Sequence, residues 1–295
     1  MDIELPHGQK LSFSRHGDEA ATPLILLHGL SSNRATYAAV VDHMLAGPVK
    51  NGDIQVVNVD LRGHGQSGHA APDSYDALNY AADIAALIET MFDRPALVVG
   101  HSLGGVVAAS LAASRPDLVA GLFLEDPPLF EGDAEVRNAS PVATIFPAIV
   151  AAVRELQSRH APLSEYLAVA QPLTPPDEVD ARCAQLASWD PATMQAAVDG
   201  LVWVGFDPEA ALSCPVTILQ ADPAYGSVFK PGDGPRVLAA NPHANIVPIA
   251  GASHGIHSTA TLSAYLDQLD TFISSMKIHV SCEAISAADH QSGPA

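Results

Sequence analysis

The stretch VVGHSLGG, residues 98–105, places one serine among glycines directly after a pair of β-branched apolar residues. A Gly-x-Ser-x-Gly sequence between a strand and a helix is typical of a nucleophile elbow, a sharp and strained turn that exposes the serine hydroxyl. Gly100 and Gly104 are small enough to let the strand and the helix approach each other. We therefore predict that Ser102 is a nucleophile at a helix N-terminus, where N–H groups and the helix dipole favour negative charge.

The segments around Ser102 alternate between strand patterns and helix patterns. Short continuous apolar runs, typical of strands buried on both faces, occur at 23–29, 53–65, 96–100, 119–126, 214–222 and 244–251. Apolar residues at helical spacing occur at 33–47, 76–92, 102–114 and 258–276, where Ser258 or Thr259 is the candidate N-cap of the last helix. This alternation predicts an α/β fold with a mostly parallel sheet and helices on both of its faces.

Residues 127–212 differ from the rest of the chain. They contain helical patterns broken by prolines and no convincing strand, yet they lie between two predicted core strands. We interpret them as a helical cap inserted before the last two strands, and we assign residues 1–126 and 213–277 to the core. Residues 278–295 lack apolar periodicity, so we predict a disordered tail there.

The composition limits the partners of the chain. Among 295 residues, 48% are apolar, and 33 acidic against 14 basic residues give a formal net charge of −19. The apolar fraction suffices for a sizeable core, and the negative charge disfavours binding to nucleic acid or to an anionic membrane. Since no apolar run reaches membrane-spanning length and no signal peptide is visible, we expect a cytoplasmic protein, either a monomer or a homo-oligomer.

A serine hydroxyl needs a base within reach and an acid that orients this base. His254 follows the last predicted strand in the glycine-containing loop GASHGIHS, and we predict that it is the base. His257, in the same loop, is the alternative. His101 adjoins Ser102, but adjacent side chains point apart, so we do not expect His101 to be the base. We expect His64 to organise its own loop by hydrogen bonding.

Four motifs together carry a resemblance to a known family. They are LLHGLSS (26–32), VDLRGHGQSG (59–68), VGHSLGG (99–105) and GASHGIH (251–257). In this order, over roughly residues 10–276, the chain resembles the α/β-hydrolase superfamily, in the branch with a serine nucleophile and a helical cap. The resemblance implies the fold and a Ser-His-acid triad, and it says much less about the substrate.

The position of the acid departs from the usual pattern of this superfamily. Most members carry it a few residues beyond the strand that follows the cap, whereas here Asp222 stands directly at that strand end. Some lactone- and amide-cleaving members carry it after the strand that follows the elbow helix, where this chain has Glu125 and Asp126. Strand alternation puts these two on opposite sides, so only one faces His254. We favour Asp126, then Asp222, then Glu125.

Acyl transfer also requires hydrogen-bond donors for the oxyanion. We predict that the backbone N–H groups of Leu103, next after the nucleophile, and of Leu30 form this oxyanion hole. Gly29 would let the loop that carries Leu30 come close to the elbow. Because we find no phosphate loop and no metal-binding motif, we predict neither a cofactor nor a metal.

The combined prediction is a serine hydrolase that acts on a small-molecule carbonyl substrate. It would cleave a small or medium carboxylic ester, lactone or amide through an acyl-enzyme, with Ser102, His254 and Asp126 as the triad. A carbon–carbon bond hydrolase and a cofactor-free haloperoxidase-like enzyme would use the same triad and are alternatives. A non-catalytic ligand receptor on a hydrolase scaffold is a further alternative from a different class.

Overall fold

An eight-stranded sheet lies at the centre of the computed structural model, which describes residues 1–174, 178–258 and 260–291. The strands are β1 (Asp2–Glu4), β2 (Lys10–His16), β3 (Thr22–Leu27), β4 (Ile54–Asp60), β5 (Ala96–His101), β6 (Val119–Glu125), β7 (Val216–Gln220) and β8 (Asn245–Pro248). Their order is β1-β2-β4-β3-β5-β6-β7-β8. The β1–β2 and β2–β4 pairings are antiparallel and the others are parallel, which confirms the predicted fold class.

Helices connect most of these strands. They are α1 (Ala38–Ala46), α2 (Ala77–Met91), α3 (Leu103–Ser114), α4 (Ala134–Asn138), α5 (Pro141–Thr144), α6 (Phe146–Ser158), α7 (Leu167–Ala170), α8 (Val179–Ser188), α9 (Ala192–Val198), α10 (Asp233–Ala240) and α11 (Leu262–Gln291). Within the described part of the chain, no helix combines the length and the apolar character that crossing a bilayer requires.

Helices cover both faces of the sheet, and the side chains of β3 pack against both helical layers. Ile25 and Leu27 pack into an apolar cluster with residues of α2 and α3. Leu24 and Leu26 pack into a second cluster with residues of α1 and α11. Because successive side chains of a strand point to opposite faces, a continuous apolar run is what a strand between two helical layers requires.

The segment predicted to be the cap, residues 127–212, contains α4–α9 and lies between β6 and β7. It has an apolar cluster of its own, in which Trp189 is fully buried. Polar contacts tie it to the core: the Asp190 N–H donates to the Gly63 carbonyl at 2.8 Å, and the Tyr75 hydroxyl donates to the Asp190 carboxylate at 2.6 Å. The helices of this segment therefore form a unit with its own core that rests on loops at the end of the sheet.

The last helix differs from its prediction at both ends. Because α11 begins at Leu262, Ser258 lies too far upstream to be its N-cap, and Thr259 lies outside the described residues. The backbone stays helical to Gln291 where the sequence predicted a disordered tail from residue 278, and residues 292–295 are again outside the described part. Residues 278–291 contain neither proline nor glycine, the two residues least compatible with a helix, so a helix can continue there without an apolar stripe.

One helix that the sequence analysis did not predict is α10, between β7 and β8. Gly234 and Pro235 stand within its first three residues, a combination that is typical of a turn. Proline is nevertheless tolerated in the first turn of a helix, where its missing N–H would have no intrahelical partner. The turn signal therefore marks the start of this helix.

The turn between β5 and α3 depends on glycine at two positions. A Cβ at Gly100 would overlap the carbonyl of Gly104, and a Cβ at Gly104 would overlap the carbonyl of Leu27 in the neighbouring strand. Both obstacles are backbone groups, which cannot rotate away as a side chain can. The close approach of strand and helix therefore excludes any larger residue at these positions.

We expect Gly104→Ala to lower the free energy of unfolding by about 3 kcal/mol or more, at the upper end of the cost of overpacking. The reason is that β3 or α3 must shift to admit the methyl group. Denaturant unfolding measures the difference. Gly232→Ala is the matched control, because a Cβ at this exposed glycine meets nothing within 4 Å, and we expect a change within about 0.5 kcal/mol. Equal midpoints for Gly104→Ala and the wild type would contradict the packing argument.

Candidate active site

Ser102 lies at the turn between β5 and α3. Its φ is 52° and its ψ is −115°, a positive-φ conformation that costs a non-glycine residue about 1–3 kcal/mol. The Ser102 N–H donates to the carbonyl of Glu125 at 3.0 Å, and the Ser102 carbonyl accepts from the Gly105 N–H at 2.9 Å. The strained turn is therefore held from β6 on one side and from α3 on the other.

Asp126 and His254 come into direct contact, although 128 positions separate them in the chain. His254 Nδ1 donates to Asp126 Oδ2 at 2.7 Å. Asp126 directly follows β6 and its side chain is fully buried, whereas the His254 side chain is 34% exposed. Because Nδ1 is the donor, Nε2 of the imidazole is left as a proton acceptor. The structure thus brings the favoured acid and the favoured base together.

Three consecutive residues of the loop between β7 and α10 also donate to the Asp126 carboxylate. The Ser227 hydroxyl and the Phe229 N–H donate to Oδ1 at 2.7 and 3.2 Å. The Val228 N–H donates to Oδ2 at 2.8 Å. Burial favours the neutral acid, but the hydrogen bond and charge of His254, together with these donors, hold the pKa of Asp126 below its usual value. Asp126 is therefore an anion near neutral pH.

His101 connects the loop of His254 to the elbow. Its Nε2 donates to the His254 carbonyl at 3.1 Å, and the centroids of the two rings lie 4.7 Å apart. Burial lowers the pKa of His101 to about 3, so its ring is neutral. His101, which was not expected to be the base, thus binds the main chain of His254 from the position directly before Ser102.

Asp222, the second choice for the acid, serves a different part of the structure. Its carboxylate accepts from the Ala224 N–H at 2.9 Å and from the Gly251 N–H at 2.8 Å. These backbone donors lower the pKa of Asp222. Asp222 therefore starts a short 3-10 helix and ties it to the loop that precedes His254, and neither of these two bonds involves the imidazole.

Glu125, the third choice, forms a second buried carboxylate–imidazole pair. The Glu125 carboxylate accepts from the His257 N–H at 2.9 Å and from His257 Nδ1 at 2.8 Å. Burial opposes ionisation of both groups, but the charge of His257 lowers the pKa of Glu125, and the charge of Glu125 raises the pKa of His257. Adjacent carboxylates thus bind different histidines, as the strand alternation of Glu125 and Asp126 predicted.

Of the two predicted oxyanion donors, Leu103 belongs to the elbow and Leu30 to a neighbouring loop. Leu103 is the first residue of α3, where a backbone N–H has no intrahelical acceptor. Leu30 lies in the loop after β3, and this loop comes very close to Ser102: a Cβ at Gly29 would lie 3.2 Å from Ser102 Cβ. In the same loop the Ser31 N–H donates to His64 Nε2 at 3.1 Å, so His64 organises this loop as well as its own.

Two further residues near this site were not found in the sequence. Arg182 of α8 donates to the carbonyl and the hydroxyl of Ser31. Glu131, between β6 and α4, is buried, and its burial raises its pKa to about 7, although the charge of His254 is among those that act in the opposite direction. Neither residue belongs to a motif, because Ser31 is far from Arg182 in the chain and Lys230 and His254 are far from Glu131.

Two curated proteins resemble this chain in sequence. The lipase LipV of Mycobacterium tuberculosis is 38% identical over 128 residues, which are 43% of this chain and 46% of that protein, so the chain spans about half the length of LipV. The 2-(acetamidomethylene)succinate hydrolase of Mesorhizobium japonicum is 29% identical over 277 residues, 86% of this chain and 90% of that protein.

The fold is also that of a solved structure, the enol-lactonase from Burkholderia xenovorans. The TM-score is 0.69 at 18% sequence identity, and the likeness covers 93% of this chain and all of that one. A family model described as the alpha/beta hydrolase family matches residues 24–264, which is more than half of the chain. The chain therefore belongs to the α/β-hydrolase family.

Proposed function

We propose that this protein is a serine hydrolase that cleaves a small or medium carboxylic ester, lactone or amide through an acyl-enzyme intermediate. The observation that carries the proposal is the 2.7 Å contact between the buried Asp126 and His254, whose main chain is held against the elbow of Ser102. A serine on a strained turn, a base and an orienting acid are the parts that nucleophilic catalysis at a carbonyl requires.

The first half of the reaction forms the acyl-enzyme. His254 Nε2 takes the proton of Ser102 Oγ while this oxygen attacks the carbonyl carbon of the substrate. The negative charge that develops on the carbonyl oxygen is stabilised by the N–H groups of Leu30 and Leu103. When the tetrahedral intermediate collapses, the carbon–heteroatom bond breaks, and the imidazolium returns its proton to the leaving alkoxide or amine.

The second half of the reaction restores the enzyme. His254 takes a proton from a water molecule, whose oxygen attacks the acyl carbon. The same two amides hold the second oxyanion, and the imidazolium then protonates Ser102 Oγ as the acid product leaves. Asp126 keeps Nδ1 protonated throughout and stabilises the imidazolium in both halves, and its low pKa suits this role.

The names of the relatives support a carbonyl compound as the substrate. LipV is named a lipase, the Mesorhizobium relative a hydrolase of an acetamidomethylene succinate, and the Burkholderia structure an enol-lactonase. These substrates include an ester, an amide and a lactone, all of which the same serine chemistry cleaves. We further propose that the protein acts in the cytoplasm, without nucleic-acid or membrane partners, in line with its net charge of −19.

We expect the wild type to hydrolyse p-nitrophenyl esters and to be labelled by a fluorophosphonate on Ser102. Ser102→Ala removes the attacking oxygen, so we expect turnover to fall by about 10⁴-fold or more and labelling to disappear. A series of p-nitrophenyl acyl chains, run alongside simple lactones and amides, ranks the substrate classes. A folded wild type that neither turns over any of these compounds nor reacts with the fluorophosphonate would contradict the proposal and favour a receptor.

The identity of the acid is tested by a matched pair of variants. We expect Asp126→Asn to lower kcat by about 10⁴-fold, because the amide no longer stabilises the imidazolium or selects the productive tautomer. Asp222→Asn makes the same change at the aspartate that follows β7, and we expect kcat to change by about threefold at most. A larger loss for Asp222→Asn than for Asp126→Asn would refute the assignment of the acid.

The pair of Glu125 and His257 stabilises the fold within a defined pH window. The lowered pKa of Glu125 contributes stability that is present above its unfolded value of about 4.3, and the raised pKa of His257 contributes stability that is present below about 6.5. We expect Glu125→Gln to lower the free energy of unfolding by about 3–5 kcal/mol, since it leaves a buried imidazole without its counter-charge. Denaturant unfolding should show the largest loss between these pH values and a smaller one at higher pH. A pH-independent difference would contradict this account.

A further inference from the structure

Ser31, directly after Leu30, is held in an unfavourable backbone conformation. Its φ is 57°, in the left-handed region that non-glycine residues rarely adopt. Such a conformation persists only where the surroundings determine it. In Ser31 the N–H, the carbonyl and the hydroxyl are all hydrogen-bonded, and the hydroxyl donates to the Leu30 carbonyl at 2.7 Å. The bonds that hold Ser31 therefore also hold Leu30.

The first of these bonds comes from the core. His64 Nε2 accepts from the Ser31 N–H at 3.1 Å, while His64 Nδ1 donates to the Arg62 carbonyl at 2.8 Å. Burial holds the pKa of His64 well below its usual value, so the ring stays neutral and its unprotonated nitrogen faces Ser31. This contact joins two loops of the core and does not involve the cap.

The other bonds come from the cap. Arg182 Nη2 donates to Ser31 Oγ at 2.7 Å, and Arg182 Nη1 donates to the Ser31 carbonyl. Burial lowers the pKa of Arg182 to about 10, which still leaves the guanidinium charged at neutral pH. In the part of the chain that the structure describes, no carboxylate forms an ion pair with Arg182. Its strongest polar contacts are therefore those to Ser31.

We propose that Arg182 is a positioning residue that fastens the cap to the loop of residues 28–31 and thereby sets the Leu30 N–H for the oxyanion. This inference rests on the function proposed above. A planar guanidinium with several fixed N–H donors suits two acceptors on one residue, which a single ammonium group satisfies less well. A donor helps catalysis only if it already points to where charge develops, and a misplacement of about 1 Å can cost about 100-fold in rate. The position of the Leu30 N–H thus depends on how α8 packs against the core.

The test uses Arg182→Met, Ser31→Ala and the double variant, assayed on the best p-nitrophenyl ester. We expect Arg182→Met to lower kcat by about 10- to 100-fold with KM within about threefold, because the lost contact acts on the transition state. The two single effects should not multiply in the double variant, since Arg182→Met and Ser31→Ala both remove the bond between the guanidinium and Ser31 Oγ. Arg154→Met removes an exposed arginine of α6 and serves as the control, with kcat unchanged.

A measurement that does not require turnover separates this inference from the proposed function. Hydrogen exchange of a peptide that spans residues 28–33 should be faster in Arg182→Met than in the wild type and unchanged in Arg154→Met. Arg182→Lys keeps the charge and provides a second, milder variant should the methionine variant fold poorly. An unaltered exchange rate in this peptide, an unaltered kcat, or effects that multiply would each overturn the positioning role. An inactive wild type would instead refute the proposed function, while the exchange result would still decide whether Arg182 holds the loop.

Discussion

The hydrogen bond between Asp126 and His254 joins parts of the chain that lie on either side of the predicted cap, residues 127–212. Asp126 leaves the sheet at the end of β6, just before the cap, whereas His254 follows β8. The bond forms because β6, β7 and β8 are parallel neighbours, so that their carboxyl ends lie at one edge of the sheet. The loop from Ser227 to Phe229, after β7, lies between these two positions and supplies the donors that keep the buried carboxylate ionised.

The two consecutive carboxylates at the end of β6 are both buried, but they bind histidines that differ in exposure. Asp126 contacts an imidazole that is partly exposed, and an exposed imidazole can exchange protons with a substrate. Glu125 contacts His257, which is buried and also bonded to Thr36, so this pair is locked within the protein. The main-chain carbonyl of Glu125 holds the Ser102 N–H. Glu125 therefore links Ser102 to the loop that carries both histidines, whereas Asp126 contacts only the more exposed of the two, His254.

Several parts of this arrangement follow from the sequence alone. The elbow motif predicted the turn at Ser102, because the glycines it requires mark where strand and helix touch, and alternation along β6 predicted that Glu125 and Asp126 diverge. The contacts of Arg182 could not be predicted in this way. A single arginine in a helical pattern is compatible with any exposed position, and its neighbour Ser31 lies 151 positions away. Two of the loop donors to Asp126 could not be predicted for a related reason: they are the backbone N–H groups of Val228 and Phe229, which residue types do not distinguish.

The predicted cap, residues 127–212, is tied to the core by polar contacts as well as by apolar packing. Its polar contacts reach loops of the core that carry or adjoin the site: Asp190 binds Gly63, next to His64, and Arg182 binds Ser31, which His64 also holds. Both contacts therefore reach the neighbourhood of His64. This residue accepts from Ser31, which Arg182 binds, and it follows Gly63, which Asp190 binds. A change in residues 127–212 that displaces Arg182 would therefore alter the loop of residues 28–31. If the Leu30 N–H binds the oxyanion as proposed, such a change would also affect the rate of the chemical step.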